Sequence, residues 1–219
     1  MAAALTLGFS SCSNNDDLGN GETIDTGRPT KMTLAITQPT TYAADGNATA
    51  AEVEIKTVDV YIYSGTTFMK REHFAIGDFD SAGDNAWKLK NEKRITTTTG
   101  AKTIYVGVNL PTTLAGDIEG TNPGTIAQTV ADAAALNSDG FAMFSRTKAT
   151  ADLVDVDATD YDTKNTVSTT VARLLAKVVV KEGSTLSGES LEGDLTDLKF
   201  TINNVNTKFF PLPSATFLD

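Results

Sequence analysis

The stretch Asn165–Val180, NTVSTTVARLLAKVVV, decides the fold that we expect for this chain. Read with a period of two, alternate residues from Ala172 to Val180 form a wholly apolar face of Ala, Leu and Val. The opposite face carries Arg173 and Lys177 among β-branched residues. A helix is the alternative, because VARLLAK alone would propagate as one. The Val and Thr clusters favour a long strand, whose apolar face lies on the core and whose other face is partly wet.

The composition indicates one acidic, β-rich domain. A chain of 219 residues can bury a sizeable core in a domain of ~180 residues. Its 28 acidic and 18 basic residues give a net charge of −10. Phosphate contacts need clustered Lys and Arg, so we expect no nucleic-acid partner. No apolar run reaches about 18 residues, so no membrane-spanning helix is predicted.

The sequence changes character at Cys12, its single cysteine. Residues 1–11 are apolar and small, and residues 12–29 are polar and rich in Asn, Asp and Gly. One interpretation is a frayed terminus with an incidental thiol. The pattern favours a lipoprotein signal segment, in which Cys12 becomes the acylated N-terminus and the residues behind it form a disordered tether. This predicts a lipid anchor at Cys12.

Alternating apolar residues and turn signals divide the rest into predicted elements. Residues 77–86 and 149–163 are predicted as loops, the second as an acidic loop or weak strand, and Thr125–Leu136 as a helix. Lysines in Trp87–Ile95 predict a charged edge strand. The other predicted strands are Lys31–Gln38, Glu52–Tyr63, Phe68–Ile76, Ala101–Leu110, Phe141–Thr147 and Leu195–Phe210. Together they predict a mostly antiparallel β-sandwich or barrel.

The sequence shows no catalytic signature. His73 is the only histidine and lies in a charged strand, so we expect it at the surface. No P-loop, glycine fingerprint or nucleophile elbow occurs. Acidic residues cluster at Asp152, Asp155, Asp157, Asp160 and Asp162. This order lacks the glycine and glutamate of a calcium loop, so a solvated loop is favoured over a Ca²⁺ site. We expect no enzyme, no cofactor and no metal.

Several segments, taken in order, resemble one family. They are LTLGFSSCS, KMTLAI, VEIKTVDVYIYSG, AKTIYVGVNL, FAMFSRT and above all TVARLLAKVVV. Over about residues 5–212 the chain resembles the N-terminal domain of type V pilins, the major and minor fimbrial subunits of Bacteroidales. The resemblance implies an antiparallel, Greek-key-like and transthyretin-like β-sandwich with one or two short helices.

The resemblance implies that the first strand is removed from the subunit. In the family, a surface protease cuts after an arginine in the loop following that strand, and a strand from another subunit then fills the groove. Here the removable strand would be Lys31–Gln38. Its predicted buried plugs are Met32, Leu34 and Ile36. The cut would fall in the loop 39–51, with Tyr42 and Ala43 as candidate positions, although this loop has no Lys or Arg. Either another protease acts, or the strand stays in place, as fits an anchor or an assembly-blocked subunit.

The expected organisation follows from these features. It consists of a signal segment (1–11), a tether (12–29), a pilin-type domain (30–212) and the start of a linker towards a further domain of the family (213–219). The expected function is that of a structural fimbrial subunit at the outer membrane. Its expected partners are other fimbrial subunits, with host or bacterial surface ligands possible.

A surface lipoprotein that binds glycans or other ligands is the alternative, and it would need exposed aromatic side chains grouped on one face. Trp87 and the tyrosines are expected to pack instead. The assembly interpretation requires that Leu34 and Ile36 are buried and that their strand has a free border in the sheet.

Overall fold

The computed structural model describes residues 27–38, 54–120, 128–129, 140–157, 159–174 and 208–212. These residues form twelve strands and two short α-helices, α1 (Thr112–Asp117) and α2 (Tyr161–Lys164). Neither helix is long and apolar enough to cross a membrane. The strands are β1 (Pro29–Thr37), β2 (Thr57–Ser64), β3 (Thr67–Ala75), β4 (Phe79–Gly83), β5 (Ala86–Leu89), β6 (Ile95–Thr98), β7 (Gly100–Val108), β8 (Gln128–Thr129), β9 (Met143–Ser145), β10 (Ala149–Leu153), β11 (Thr166–Arg173) and β12 (Lys208–Phe209).

Ten of these strands form one curled sheet. Its order is β3–β2–β7–β9–β11–β1–β5–β4, with β10 also paired to β7 and β6 also paired to β1. Within it, β1 and β11 are parallel and the other described pairings are antiparallel. Strands β8 and β12 form a separate pair. The prediction of a mostly β, sandwich-like fold with one or two short helices is confirmed.

The main core lies on one face of the curled sheet. Each of the ten strands contributes at least one buried apolar side chain to it. In β1, β2 and β7 the contributing residues are spaced two apart, as side chains on one face of a strand must be. They are Met32, Leu34 and Ile36, then Val58, Val60 and Ile62, then Ile104, Val106 and Val108. The alternation read from the sequence therefore identified the inward rows of these three strands.

A second apolar cluster covers the other face of β2 and β7. It contains Tyr61, Tyr63, Tyr105, Leu114, Ile118, Ala142 and Phe144. The Tyr61 hydroxyl donates to the carbonyl of Ala115 at 2.9 Å, and the Tyr63 hydroxyl donates to that of Ile118 at 2.9 Å. Both carbonyls belong to α1 or the turn after it. Helix α1 therefore seals the face that alternation alone assigns to solvent.

The tyrosines of this cluster make the fold sensitive to alkali. Burial raises the pKa of Tyr63 from 10.0 to about 12, and it also raises the pKa of Tyr61 and of Tyr105. A folded-state pKa above the unfolded value stabilises the fold below pH 10, and this contribution is lost as the pH rises towards about 12. We expect tyrosinate absorbance and the loss of circular dichroism to appear together in that window. In a Tyr42→Phe, Tyr161→Phe variant, whose remaining tyrosines are the three of this cluster, tyrosinate at pH 10 with native dichroism would contradict this.

The stretch Asn165–Val180 forms strand β11 in its described part, but the residues that face the core are not the predicted ones. In β11, Val167 and Val171 are buried in the main core. Ala172, predicted to face the core, is half-buried, and Leu174 packs against the second cluster. The prediction was wrong because both faces are covered here, so an apolar row could belong to either. Residues 175–180 lie outside the described residues.

Three other predicted elements differ from the structure. The predicted loop 77–86 contains β4, and the predicted edge strand Trp87–Ile95 is divided by a 3₁₀ turn at Asn91–Lys93 into β5 and the start of β6. Strand β5 is not at the edge, because β4 pairs with it. The predicted helix Thr125–Leu136 is wrong over Gln128–Thr129, which form β8. Its remaining residues lie outside the described part.

The hairpin of β2 and β3 is confirmed, as are the predicted strands that became β7 and β9. Strand β10 and helix α2 occupy the stretch predicted as an acidic loop or weak strand. The predicted loop after the first strand and most of the predicted closing strand fall outside the described residues.

Candidate subunit-interaction site

Strand β1 carries the row of apolar side chains that the sequence predicts to be buried. Met32 and Leu34 are 0 % exposed and Ile36 is 1 % exposed, and all three belong to the main core. Lys31 and Thr37, which flank this row, are exposed, whereas Thr33 and Ala35 between its members are buried and half-buried. The alternation of β1 therefore places its largest apolar side chains inward, as the sequence predicts.

The expected free border of β1 is absent from the described sheet. On one side, Thr33–Thr37 pair with Thr166–Thr170 of β11. On the other side, β6 pairs with Pro29–Met32 and β5 pairs with Ala35–Thr37. The expectation was wrong because the turn within the predicted edge strand creates two short strands, and both pair with β1. Of the two conditions set for the assembly interpretation, the burial of Leu34 and Ile36 is met and the free border is not, so release of β1 from a sheet edge is ruled out in the described sheet.

A buried asparagine holds the half of β1 that the β11 ladder does not reach. Asn165, 1 % exposed, lies directly before β11. Its Nδ2 donates to the Lys31 carbonyl at 3.0 Å and to Thr30 Oγ1 at 3.1 Å. Its own carbonyl accepts from the Thr33 amide at 3.0 Å. The first half of β1 is therefore bound through a side chain.

The same amide group is fixed by Val154, in the segment that follows β10. Asn165 Oδ1 accepts from the Val154 amide at 3.0 Å, and Nδ2 also donates to the Val154 carbonyl at 2.9 Å. Thr30 Oγ1 donates to that carbonyl at 2.9 Å. Asn165, Thr30 and Val154 thus form a closed hydrogen-bonded corner beside β1.

The acidic stretch after β10 is bound to basic side chains. Ion pairs join Asp155 to Arg28, Asp160 to Lys164, and Asp162 to Lys88 and Arg94. Burial opposes ionisation of Asp162, but the bonds from Arg94 and Lys88 outweigh it and hold its pKa below the ordinary value. In the described part of the chain, no group of three or more His, Cys, Asp or Glu residues could hold a metal ion.

His73 lies on β3, which is separated from β1 by four strands in the sheet order. Its side chain is 57 % exposed, and its Nδ1 is 2.8 Å from Oδ1 of the buried Asp59. Arg71 Nε donates to the same oxygen at 2.9 Å. His73 therefore occupies a surface position, as predicted, in a polar cluster remote from β1.

The aromatic side chains do not form a sugar platform in the described regions. Tyr61, Tyr63 and Tyr105 are buried, and Trp87 packs against the main core. No Trp, Tyr or Phe of residues 54–120, 140–157 and 159–174 is exposed, and Phe210 is half-buried. The geometry needed by the alternative glycan-binding function is therefore not found there.

Three residues singled out in the sequence, Cys12, Tyr42 and Ala43, lie outside the described residues. Two residues that contact β1 or belong to it, Asn165 and Thr30, were not singled out. Thr30 carried one usable signal, since it is two residues before Met32 and shares its face. Asn165 carried none, because its partners lie up to 135 positions away in the chain.

The sequence matches a known protein family over most of its length. The model of the major fimbrial subunit protein (FimA) family matches residues 30–195. That interval begins within β1 and includes the described strands up to β11. No curated protein sequence matches significantly.

Solved structures with a similar arrangement share little sequence with the chain. One, described as a candidate cell adhesion protein of Parabacteroides distasonis, is 12% identical, with a TM-score of 0.47 over 68% of this chain and 41% of that one. A fimbrial assembly protein of the same organism is 12% identical, with a TM-score of 0.45 over 68% and 54%.

The tip fimbrial protein Mfa3 of Porphyromonas gingivalis, truncated at its C-terminus, is 13% identical, with a TM-score of 0.35 over 66% of this chain and 49% of that one. The chain therefore spans about half the length of these structures.

Proposed function

We propose, from the premise that this chain belongs to the major fimbrial subunit protein (FimA) family, that it is a structural subunit of surface fimbriae in which β1 is replaced by a strand of another subunit. Family membership supports the fimbrial role, because the matching interval covers residues 30–195 of 219. The replacement of β1 is our own inference. Its main support is the row of three fully buried side chains on β1.

The proposal depends on what the departure of β1 leaves behind. Met32, Leu34 and Ile36 would vacate three adjoining positions in the main core. Burying one such side chain contributes about 1.5–3 kcal/mol, so an empty groove strongly favours any strand that presents similar side chains. Exposing an apolar groove of this length to water is unfavourable in free energy.

The two borders of β1 set a further condition on the occupant. β11 lies on one side, and β5 and β6 lie on the other. A vacated groove would expose backbone donors and acceptors along both borders, and each prefers a partner. The occupant must therefore pair on both sides at once, which gives strand addition a defined register. This geometry also means that β1 cannot peel from an edge and must leave from between its neighbours.

Two sequence features complete the proposal. Cys12, where the sequence changes from apolar to polar, would carry the acyl chain of an outer-membrane precursor. The polar loop 39–51, with Tyr42 and Ala43, would be the place where β1 is separated from the rest. Because this loop has no Lys or Arg, the protease must accept another residue. Other fimbrial subunits are the proposed partners.

The test separates β1 from the chain without deleting it. A recognition site for a specific protease is inserted between Tyr42 and Ala43 of the full chain, which is then cut while folded. A fluorescent peptide of residues 28–38 is added in excess. We expect the cut protein to take up the peptide and to release its N-terminal fragment, measured by fluorescence anisotropy and size-exclusion chromatography.

Two matched controls define the result. The uncut chain should take up no peptide, because its own β1 stays tethered. A peptide with Leu34→Asp and Ile36→Asp should also stay free, because it would bury two carboxylates in the core. If the cut protein keeps its native dichroism and exchanges no peptide, strand replacement is wrong.

A further inference from the structure

We infer that the groove of β1 selects its occupant by a buried side-chain hydroxyl as well as by apolar plugs, so that the partner strand carries the pattern Ser/Thr-x-apolar-x-apolar-x-apolar. This inference rests on the proposed strand replacement. It adds the chemistry of the partner strand, which neither the apolar row nor the backbone pairing specifies.

In the chain's own β1, Thr30 supplies this hydroxyl. It lies two residues before Met32 on the inward row of β1 and is 4 % exposed. Its Oγ1 accepts from Asn165 Nδ2 at 3.1 Å and donates to the Val154 carbonyl at 2.9 Å. A hydroxyl can do both at one position, whereas an apolar side chain can do neither.

The receiving groups keep their orientation without β1. Asn165 Oδ1 and Nδ2 bond to the amide and the carbonyl of Val154, which fixes which way the side-chain amide faces. The Asn165 backbone amide donates to the Tyr161 carbonyl at 3.0 Å, which ties it to α2. One Nδ2 hydrogen is held by the Val154 carbonyl, and the other points towards the place of β1, where the Lys31 carbonyl and Thr30 Oγ1 share it. A donor held in this way favours an acceptor at that position without further ordering.

Thr33 of β1 also has a buried hydroxyl, which donates a single, longer bond to the Leu89 carbonyl at 3.3 Å. The remaining contacts of β1 discriminate less. The bond from Asn165 Nδ2 to the Lys31 carbonyl is available to any strand, since every residue has a carbonyl. Thr37 also has a bonded hydroxyl, 2.9 Å from Thr170 Oγ1 and 3.4 Å from the Thr169 carbonyl, but the Thr37 side chain is exposed. Because water competes at an exposed position, Thr37 provides a matched control for Thr30.

The test uses the cut full chain and labelled peptides of residues 28–38, so the protein itself is unchanged. Four peptides are compared by competition with the resident strand: wild type, Thr30→Val, Thr30→Ser and Thr37→Val. We expect Thr30→Val to bind roughly tenfold more weakly, because the bond to the Val154 carbonyl and the shared bond from Asn165 Nδ2 are lost. Thr30→Ser keeps the hydroxyl and should stay within about threefold of wild type, as should Thr37→Val.

The outcomes separate this inference from the function on which it rests. If the wild-type peptide exchanges but Thr30→Val binds equally well, the hydroxyl readout is wrong and strand replacement stands. An equal loss for Thr37→Val also overturns the readout, because the effect would then be general to threonine. If no peptide exchanges at all, both proposals fail together.

Discussion

Replacing Leu34 with alanine is expected to lower the free energy of unfolding by about 3 kcal/mol. Leu34 is 0 % exposed and packs in the main core from the middle of β1. The change removes buried carbon atoms and leaves a cavity, since neighbouring strands on both sides limit how far the site can collapse. Urea unfolding followed by circular dichroism measures the difference.

Lys31→Ala is the control, because Lys31 lies on the exposed side of the same strand. Its effect should stay within about 0.5 kcal/mol. Equal values for the two variants would mean that β1 contributes little to the core, and the case for a vacated groove would lose its energetic basis. In the cut chain, Leu34→Ala in the resident strand should also speed its replacement by the wild-type peptide.

Changing Asn109 to alanine is expected to destabilise the fold by about 3 kcal/mol, through a different mechanism. Asn109 follows β7, is 5 % exposed and has a φ of 51°. Its Oδ1 accepts from the amides of Lys56 at 2.8 Å and Thr57 at 3.2 Å. Its Nδ2 donates to the carbonyls of Glu54 at 2.8 Å and Phe141 at 3.3 Å. Alanine would lose all four bonds and hold a left-handed backbone.

Asn85 provides the comparison for the backbone part of this effect. It lies in the turn between β4 and β5 with a φ of 54°. Asn85→Ala should cost about 1 kcal/mol, the strain of a left-handed alanine. The difference between the losses in the free energy of unfolding for Asn109→Ala and Asn85→Ala then measures the contribution of the Asn109 side-chain hydrogen bonds. If thermal or urea unfolding gives the same loss for both variants, the bonds of Asn109 contribute nothing beyond strain.

The inward rows were predictable because alternation is a local property of a strand. Val58, Val60 and Ile62 alternate with residues that a single strand would turn to water. The burial of Tyr61 and Tyr63 depends on α1, six residues that begin four positions after β7. So short a helix has no periodic signal, and the sequence alone could not show that both faces of β2 are covered.

The surroundings of β1 were less predictable than β1 itself. A strand's neighbours are set by pairing between distant segments, and lysines that suggest an edge strand say nothing about the turn at Asn91–Lys93. The contact of Asn165 with Thr30 spans 135 positions. A polar residue at the start of a strand is usually a surface residue, so only the folded arrangement distinguishes this one.

The parallel pairing of β1 with β11 also bears on the order of events during synthesis. Thr37 of β1 bonds to Thr170 of β11, which is 133 positions later in the chain, so β1 is synthesised well before this partner strand. Contacts this distant form slowly, because a long loop must close before they contribute. The place beside β11 is thus filled late in folding, and until then it is open to a foreign segment as well as to β1, which keeps the advantage of its tether.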